Sequence, residues 1–174
     1  MRRSQPAVSY MTRAKPVWRA ARGSGPHPPV PPVSPLQAML ALSAATRAVT
    51  DEPQLQPAAT ALAREACRLT GSARGTVVVL DWTRRTTWSS DGDLLSEESR
   101  TLITQIASTG QRAVFGASLL EPIGSAPARA VLVLRRAPGA QFEPDDVALI
   151  SALVGGVTAT LQRLIAAAQL TASP

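Results

Sequence analysis

A chain of 174 residues, 45% of them apolar, can bury one core of ordinary domain size with length left over for a tail. Its formal charge of +6 sits at the start: residues 1–35 carry six basic groups (Arg2, Arg3, Arg13, Lys15, Arg19, Arg22) and no acid, while the rest balances twelve basic groups with twelve acids. Net charge is therefore no argument that the globular part binds an anionic partner, and the single Cys67 excludes an intrachain disulfide framework.

Residues 1–35 also hold eight of the fifteen prolines, including Pro26-His27-Pro28-Pro29-Val30-Pro31-Pro32. Such a run favours extended polyproline II and cannot propagate a helix, so this stretch is expected to be a disordered basic tail. Tyr10 and Trp18 lie among its arginines, a pattern compatible with nucleic-acid contact. It is equally compatible with a solvated linker, a docking peptide, or residues ahead of a start at Met11, and the passive readings are preferred. No apolar run resembling a secretory signal follows the arginines, and no stretch of about 18 uninterrupted apolar residues occurs, so a cytoplasmic protein without a membrane segment is expected. The folded domain is placed at 36–170, with 171–174 a flexible end.

Leu36, Met39, Leu40 and Ala44 fall on one helical face and predict a helix over about 36–49. Asp51-Glu52-Pro53 reads as an acidic, proline-marked start, and Leu55, Leu62, Ala66 and Leu69 continue a second helix over 53–70 until Gly71 stops it. Thr76-Val77-Val78-Val79-Leu80 is a β-branched run bounded by Gly75 and Asp81, the signature of a central strand, and 86–89 can pair with it as a hairpin. Ser96-Glu97-Glu98 caps a third helix over 96–109 that ends at Gly110. Residues 113–115 and 118–123 are short extended segments, a turn at 124–127 follows, and Ala130 to Leu134 is a second buried strand. Phe142-Glu143-Pro144-Asp145-Asp146 then launches a helix reaching about Gln169. The order ααββαβββα specifies an α+β fold with a mixed, largely antiparallel central sheet flanked by helices.

Several of these segments resemble the GAF family of small-molecule sensor domains. Leu62-Ala63-Arg64-Glu65-Ala66-Cys67-Arg68-Leu69-Thr70-Gly71, a polar step and the strand from Thr76 are similar to the family's entry into its sheet. Ala128 to Arg136 resembles its closing strand, and Phe142 to Ile150 the phenylalanine, acidic cap and apolar helix that follow. The resemblance spans residues 36–169. It implies a GAF-like sheet and a pocket between one sheet face and the helix-and-loop layer over it, walled here by Trp88, Ile103, Phe115 and Leu120, unless those residues simply fill the core. It also implies a non-catalytic regulatory protein, an adaptor or stand-alone sensor, read by a downstream signalling protein. A ligand-free dimeric scaffold is the rival reading. Cyclic-nucleotide members carry Asn-Lys before the phenylalanine and Asp-Glu after it, where this chain has Arg135-Arg136 and Asp145-Asp146. Bilin members need a suitably placed linking cysteine and a pocket histidine, and redox members several cysteines, where this core offers Cys67 alone, so the small molecule, and any cofactor, stays unknown.

The residues themselves argue against hydrolytic chemistry, because the only histidine, His27, is in the tail. Asp91, Asp93, Glu97 and Glu98 cluster without the spacing of a calcium loop and read as turn and cap rather than a metal site; Asp145 and Asp146 read the same way. Cys67 is either a small core residue or a redox switch activated by Arg64 and Arg68. On the last helix Val147, Ile150, Val154, Val157, Leu161, Leu164 and Ala168 keep a 3-4 spacing, the register of helix-to-helix association. Gly155-Gly156 beside that seam suggests that another backbone approaches closely. A homodimer through this helix and the first is expected; one broad core-facing stripe in a monomer is the alternative.

Overall fold

The computed structural model describes residues 34–93 and 95–171. The basic tail with His27, Tyr10 and Trp18 lies outside the described residues, as do Leu94 and the last three residues. In chain order the elements are α1 (Pro35–Thr50), α2 (Leu55–Thr70), β1 (Arg74–Asp81), β2 (Thr86–Ser89), α3 (Glu97–Thr109), β3 (Ala113–Phe115), β4 (Ser118–Ile123), β5 (Ala130–Arg135) and α4 (Pro144–Thr171).

Each helix begins and ends where its backbone groups find partners. The Ser34 side chain accepts from the Gln37 amide at 3.2 Å while Gln37 Oε1 accepts from the Ser34 amide at 3.3 Å, a reciprocal cap with Pro35 in the first turn. Helix α2 starts at Leu55, two residues later than expected, because Asp51 is the C-cap of α1 and Pro53 belongs to the connection. Pro57 is tolerated in the first turn, where amides have no helical acceptor. Ser96 accepts from the Ser99 amide to start α3, and Gly71 and Gly110 close α2 and α3 in left-handed conformation.

The five strands form one sheet in the order β2-β1-β5-β4-β3, antiparallel at every pairing. Strand β3 ends opposite Leu120, so Pro122, which has no amide to donate, falls where β4 is an edge on that side. Side chains alternate between two faces. Val77, Val79, Leu119, Ile123, Leu132 and Leu134 face α2 and α4, with α1 packed across those helices. Val78, Leu80, Leu120, Val131 and Val133 face α3.

Helix α2 lies close on β1 because its inner face is mostly alanine and because residue 75 is glycine. A Cβ at Gly75 would stand 2.7 Å from Cys67 Sγ and 2.9 Å from the Ala63 carbonyl oxygen. Arg136 then ties three elements together. Its guanidinium donates to the Thr70 carbonyl at the end of α2, pairs with Asp146 at 2.8 Å, and stacks 4.7 Å from the centre of the Phe142 ring. Asp146 also accepts from the Glu143 amide at 2.8 Å, so the acidic cap anticipated for α4 is built as read.

Helix α4 is long and apolar enough to cross a membrane by length and composition alone, but apart from the exposed Leu170 most of its large apolar side chains are buried within the domain. Ile150, Val154, Val157, Leu161 and Leu164 are all buried in the core that α4 shares with α1, α2 and the sheet, and Val147 packs on its edge. The expected dimer seam is therefore corrected: apart from the partly buried Val147, these residues are buried against the chain's own helices and sheet. The 3-4 spacing was a true packing signal with an internal partner. One of the two glycines has the same explanation, since a Cβ on Gly156 would come within 3.2 Å of Thr46 in α1; Gly155 faces open space.

Candidate functional site

On the α3 side of the sheet, side chains stand in rows across the strands. One row is Arg74, Arg135, Ser118 and Phe115, contributed in turn by β1, β5, β4 and β3; the row behind it is Thr76, Val133, Leu120 and Ala113. Ile103, Ile106 and Ala107 of α3 pack on the apolar part of the sheet, including Leu120 and Val133. Along the row of Arg135 and Phe115 the packing opens into two adjoining cavities of about 280 Å³ each, which share Ser99, Ile103, Val133 and Arg135.

The two cavities differ in chemistry. One is walled by Leu102, Ile103, Phe115, Leu120 and Val133, with Ser99, Ser118 and Arg135 as its polar groups. The other adds Arg74, Thr76, Asp91, Asp93, Leu95 and Ser96. Its polar side chains are engaged with one another. Gly92 turns the chain so that Asp91 Oδ1 accepts from the Asp93 amide at 3.2 Å, and both carboxylates converge on Arg74, Asp91 at 3.1 Å. Thr76 lies 3.3 Å from the Ser90 hydroxyl, and Ser96 and Ser99 share a hydrogen bond of 2.9 Å in the α3 cap. The Arg135 guanidinium makes no hydrogen bond or ion pair among the described residues.

Of the four residues expected to wall a pocket, Ile103, Phe115 and Leu120 line the apolar cavity together. Trp88 does not join them. It pairs with Val79, whose side chain faces the helices, so it lies on the opposite face of the sheet and lines a separate cleft of about 190 Å³ with Leu55, Ile165 and Ala168. A strand reversed by one residue would have put Trp88 in the groove; neither register nor face is written in a four-residue strand. Arg74, Arg135, Leu102 and Ser118 were not anticipated as site residues. A signal for Arg135 existed, because strict alternation along Val131, Val133 and Arg135 sets it on the face of α3.

The aspartates of the acidic cluster are occupied by Arg74, while Glu97 reaches Arg100 only at 3.9 Å. Arg64 and Arg68 do not activate Cys67: both pair with Glu65, at 3.3 and 2.7 Å, and burial pushes the Cys67 thiol pKa up. The thiol packs against Gly75 instead.

No protein-family model and no curated protein matches the sequence. Solved structures do match the coordinates. The GAF domain of a phosphoenolpyruvate-protein phosphotransferase from Acinetobacter is similar with a TM-score of 0.62 at 12% identity, over 76% of this chain and 96% of that one. The GAF domain of the potassium sensor histidine kinase KdpD from Escherichia coli is similar with a TM-score of 0.61 at 15% identity, over 76% and 99%. The chain has the GAF fold. An N-acylhomoserine-lactone-dependent LuxR-family transcription factor from Burkholderia cenocepacia shares it at a TM-score of 0.54 and 16% identity, over 74% and 98%. The groove beside α3 lies between one face of this GAF-like sheet and α3, and Trp88 lies on the opposite, helical side of the same sheet.

Proposed function

We propose that this chain is a non-catalytic regulatory domain that binds a small molecule in the groove beside α3 and dimerises through the outer surface of its helical layer. One observation carries the reading: α2 and α4 cover one face of the sheet, leaving there the cleft of about 190 Å³ at Trp88, whereas on the other face a single helix leaves an apolar cavity of about 280 Å³ bounded by Leu102, Phe115 and Leu120. Concave, mostly apolar spaces with few polar groups are what small ligands use. Proteins of this fold include a potassium sensor kinase and a transcription factor dependent on an N-acylhomoserine lactone, and small-molecule sensing is carried over from them as a role, without the ligands.

Support for dimerisation comes from surface that the core does not use. Leu36, Met39 and Leu40 of α1 are 67%, 69% and 62% exposed, and α4 turns Ala148, Ala152, Gly155 and Ala159 outward, small residues that let a second helix approach. The interface assigned here is that surface and not the buried seam. A downstream signalling protein would read the change that ligand makes in this layer.

A thermal-shift screen of small metabolites, run in parallel on the native chain and on Phe115→Arg, tests the sensing role. Phe115 is 53% exposed, so the substitution fills the groove without emptying the core. Compounds that stabilise the native chain alone support the reading; compounds that stabilise both equally bind elsewhere and contradict it. If no compound stabilises the native chain, the ligand-free scaffold replaces the sensor. Light scattering on the same samples is expected to give a dimer mass, and Leu40→Glu a monomer; a native chain that is monomeric at high concentration overturns the dimer.

A further inference from the structure

Across β1 and β5, Arg74 and Arg135 stand directly opposite each other. Like charges in that position repel and weaken a strand pair. Asp91 and Asp93 neutralise Arg74, but nothing among the described residues neutralises Arg135, which lies at the wall common to both cavities. Among the described residues that line the apolar cavity it is the only charged side chain, with no acid to accompany it. Phe115 is in the same row, separated from Arg135 by Ser118 alone. Two strand spacings of about 4.8 Å put the cationic and aromatic positions roughly 10 Å apart.

We propose that the groove takes a small molecule joining one carboxylate to an apolar body, the carboxylate on Arg135 and the body on Leu102, Leu120 and Phe115. The proposal rests on the small-molecule reading of the groove given above and adds the ligand's chemical class. The guanidinium presents a planar fork that matches a carboxylate with two parallel hydrogen bonds, and the hydroxyl of Ser118 stands beside it. A neutral apolar molecule would leave Arg135 facing Arg74 as before. A cationic one would meet the like charge of Arg135, since no acid lines the apolar cavity among the described residues.

Amide-resolved NMR titrations of the full chain with octanoate and with 1-octanol, at neutral pH and low salt, test this. Octanoate is expected to shift amides of 113–120 and 133–135 and to bind more tightly than octanol. Arg135→Gln, at an exposed and unpaired site, is expected to fold and to bind octanoate about tenfold more weakly, the loss typical of one charged hydrogen-bond partner. Its octanol binding should be unchanged, and Phe115→Ser should weaken both. Equal binding of the two probes, unaffected by Arg135→Gln, overturns the anionic class while leaving the groove as the ligand site. Shifts confined to α1 or to the Trp88 cleft, or no shifts at all, overturn the groove and the proposal together.

Discussion

On the helix-covered face of the sheet, Glu121 is buried beneath α4, where its carboxylate receives the Ser151 hydroxyl at 3.3 Å. Arg112 stands 3.3 Å from the other oxygen, off the hydrogen-bond line, so that oxygen has an ion pair without a hydrogen bond. Burial raises the Glu121 pKa above its ordinary 4.5, and the attraction of Arg112 and the Ser151 bond offset this only in part. A carboxyl with a raised folded-state pKa favours folding in its protonated form. That contribution is complete below about 4.5 and disappears as the pH climbs through the raised value. Glu121→Gln is therefore expected to melt roughly 2–4 °C above the native chain at pH 7, the effect of about 1 kcal/mol in a domain of this size, with the gap closing near pH 4. An equal or lower melting temperature at pH 7 would show that the Arg112 pair outweighs the burial. At Gly75 the expectation has the opposite sign. Alanine would force α2 off β1, since the Ala63 carbonyl is backbone and cannot swing away, and should cost about 1–3 kcal/mol in urea unfolding.

At the scale of elements, the paired glycines of α4 make a direct comparison. Gly155→Ala enters open space and should gain the helix propensity of alanine, about 1 kcal/mol, whereas Gly156→Ala meets Thr46 and should gain little or lose stability. Equal effects in urea unfolding would mean that α1 does not cross α4 there. The same helix shows what sequence can and cannot say. Caps and stops are local, so Ser96, Gly71, Gly110 and Pro144 marked their helix ends within a residue or two, and the β-branched run at 76–80 marked a central strand. Packing partners are not local. The spacing of Ile150, Val154, Val157 and Leu161 says that a helix will be met along that line, but the same pattern serves a second copy or the chain's own α1 and α2. Trp88 failed for a related reason, because a short strand's face depends on its register against Val79. Ile103, Phe115 and Leu120 were legible as groove residues through the family resemblance alone; Arg135 needed only the alternation of β5, carried one residue further.

For the whole molecule, one sheet carries two separate surfaces. Its helical side is covered by the alanine-rich face of α2 and the large apolar residues of α4, leaving the cleft at Trp88, and outside lie the apolar patch of α1 and the small residues of α4. Its other side is closed by α3 over the middle of the strands and opens along the row of Arg135 and Phe115. The strands β1 and β5 contribute side chains to both faces, so a ligand held at Arg135 would sit on the same strands that seat α2. Whether the groove is the ligand site decides the functional reading. Crystals of the full chain soaked with a library of small organic fragments would test that most directly. Fragments are expected to collect over Val133, between Leu102 and Phe115, with their anionic groups at Arg135. Fragments found only in the cleft at Trp88 or on α1, with the groove beside α3 closed by its own side chains, would contradict it.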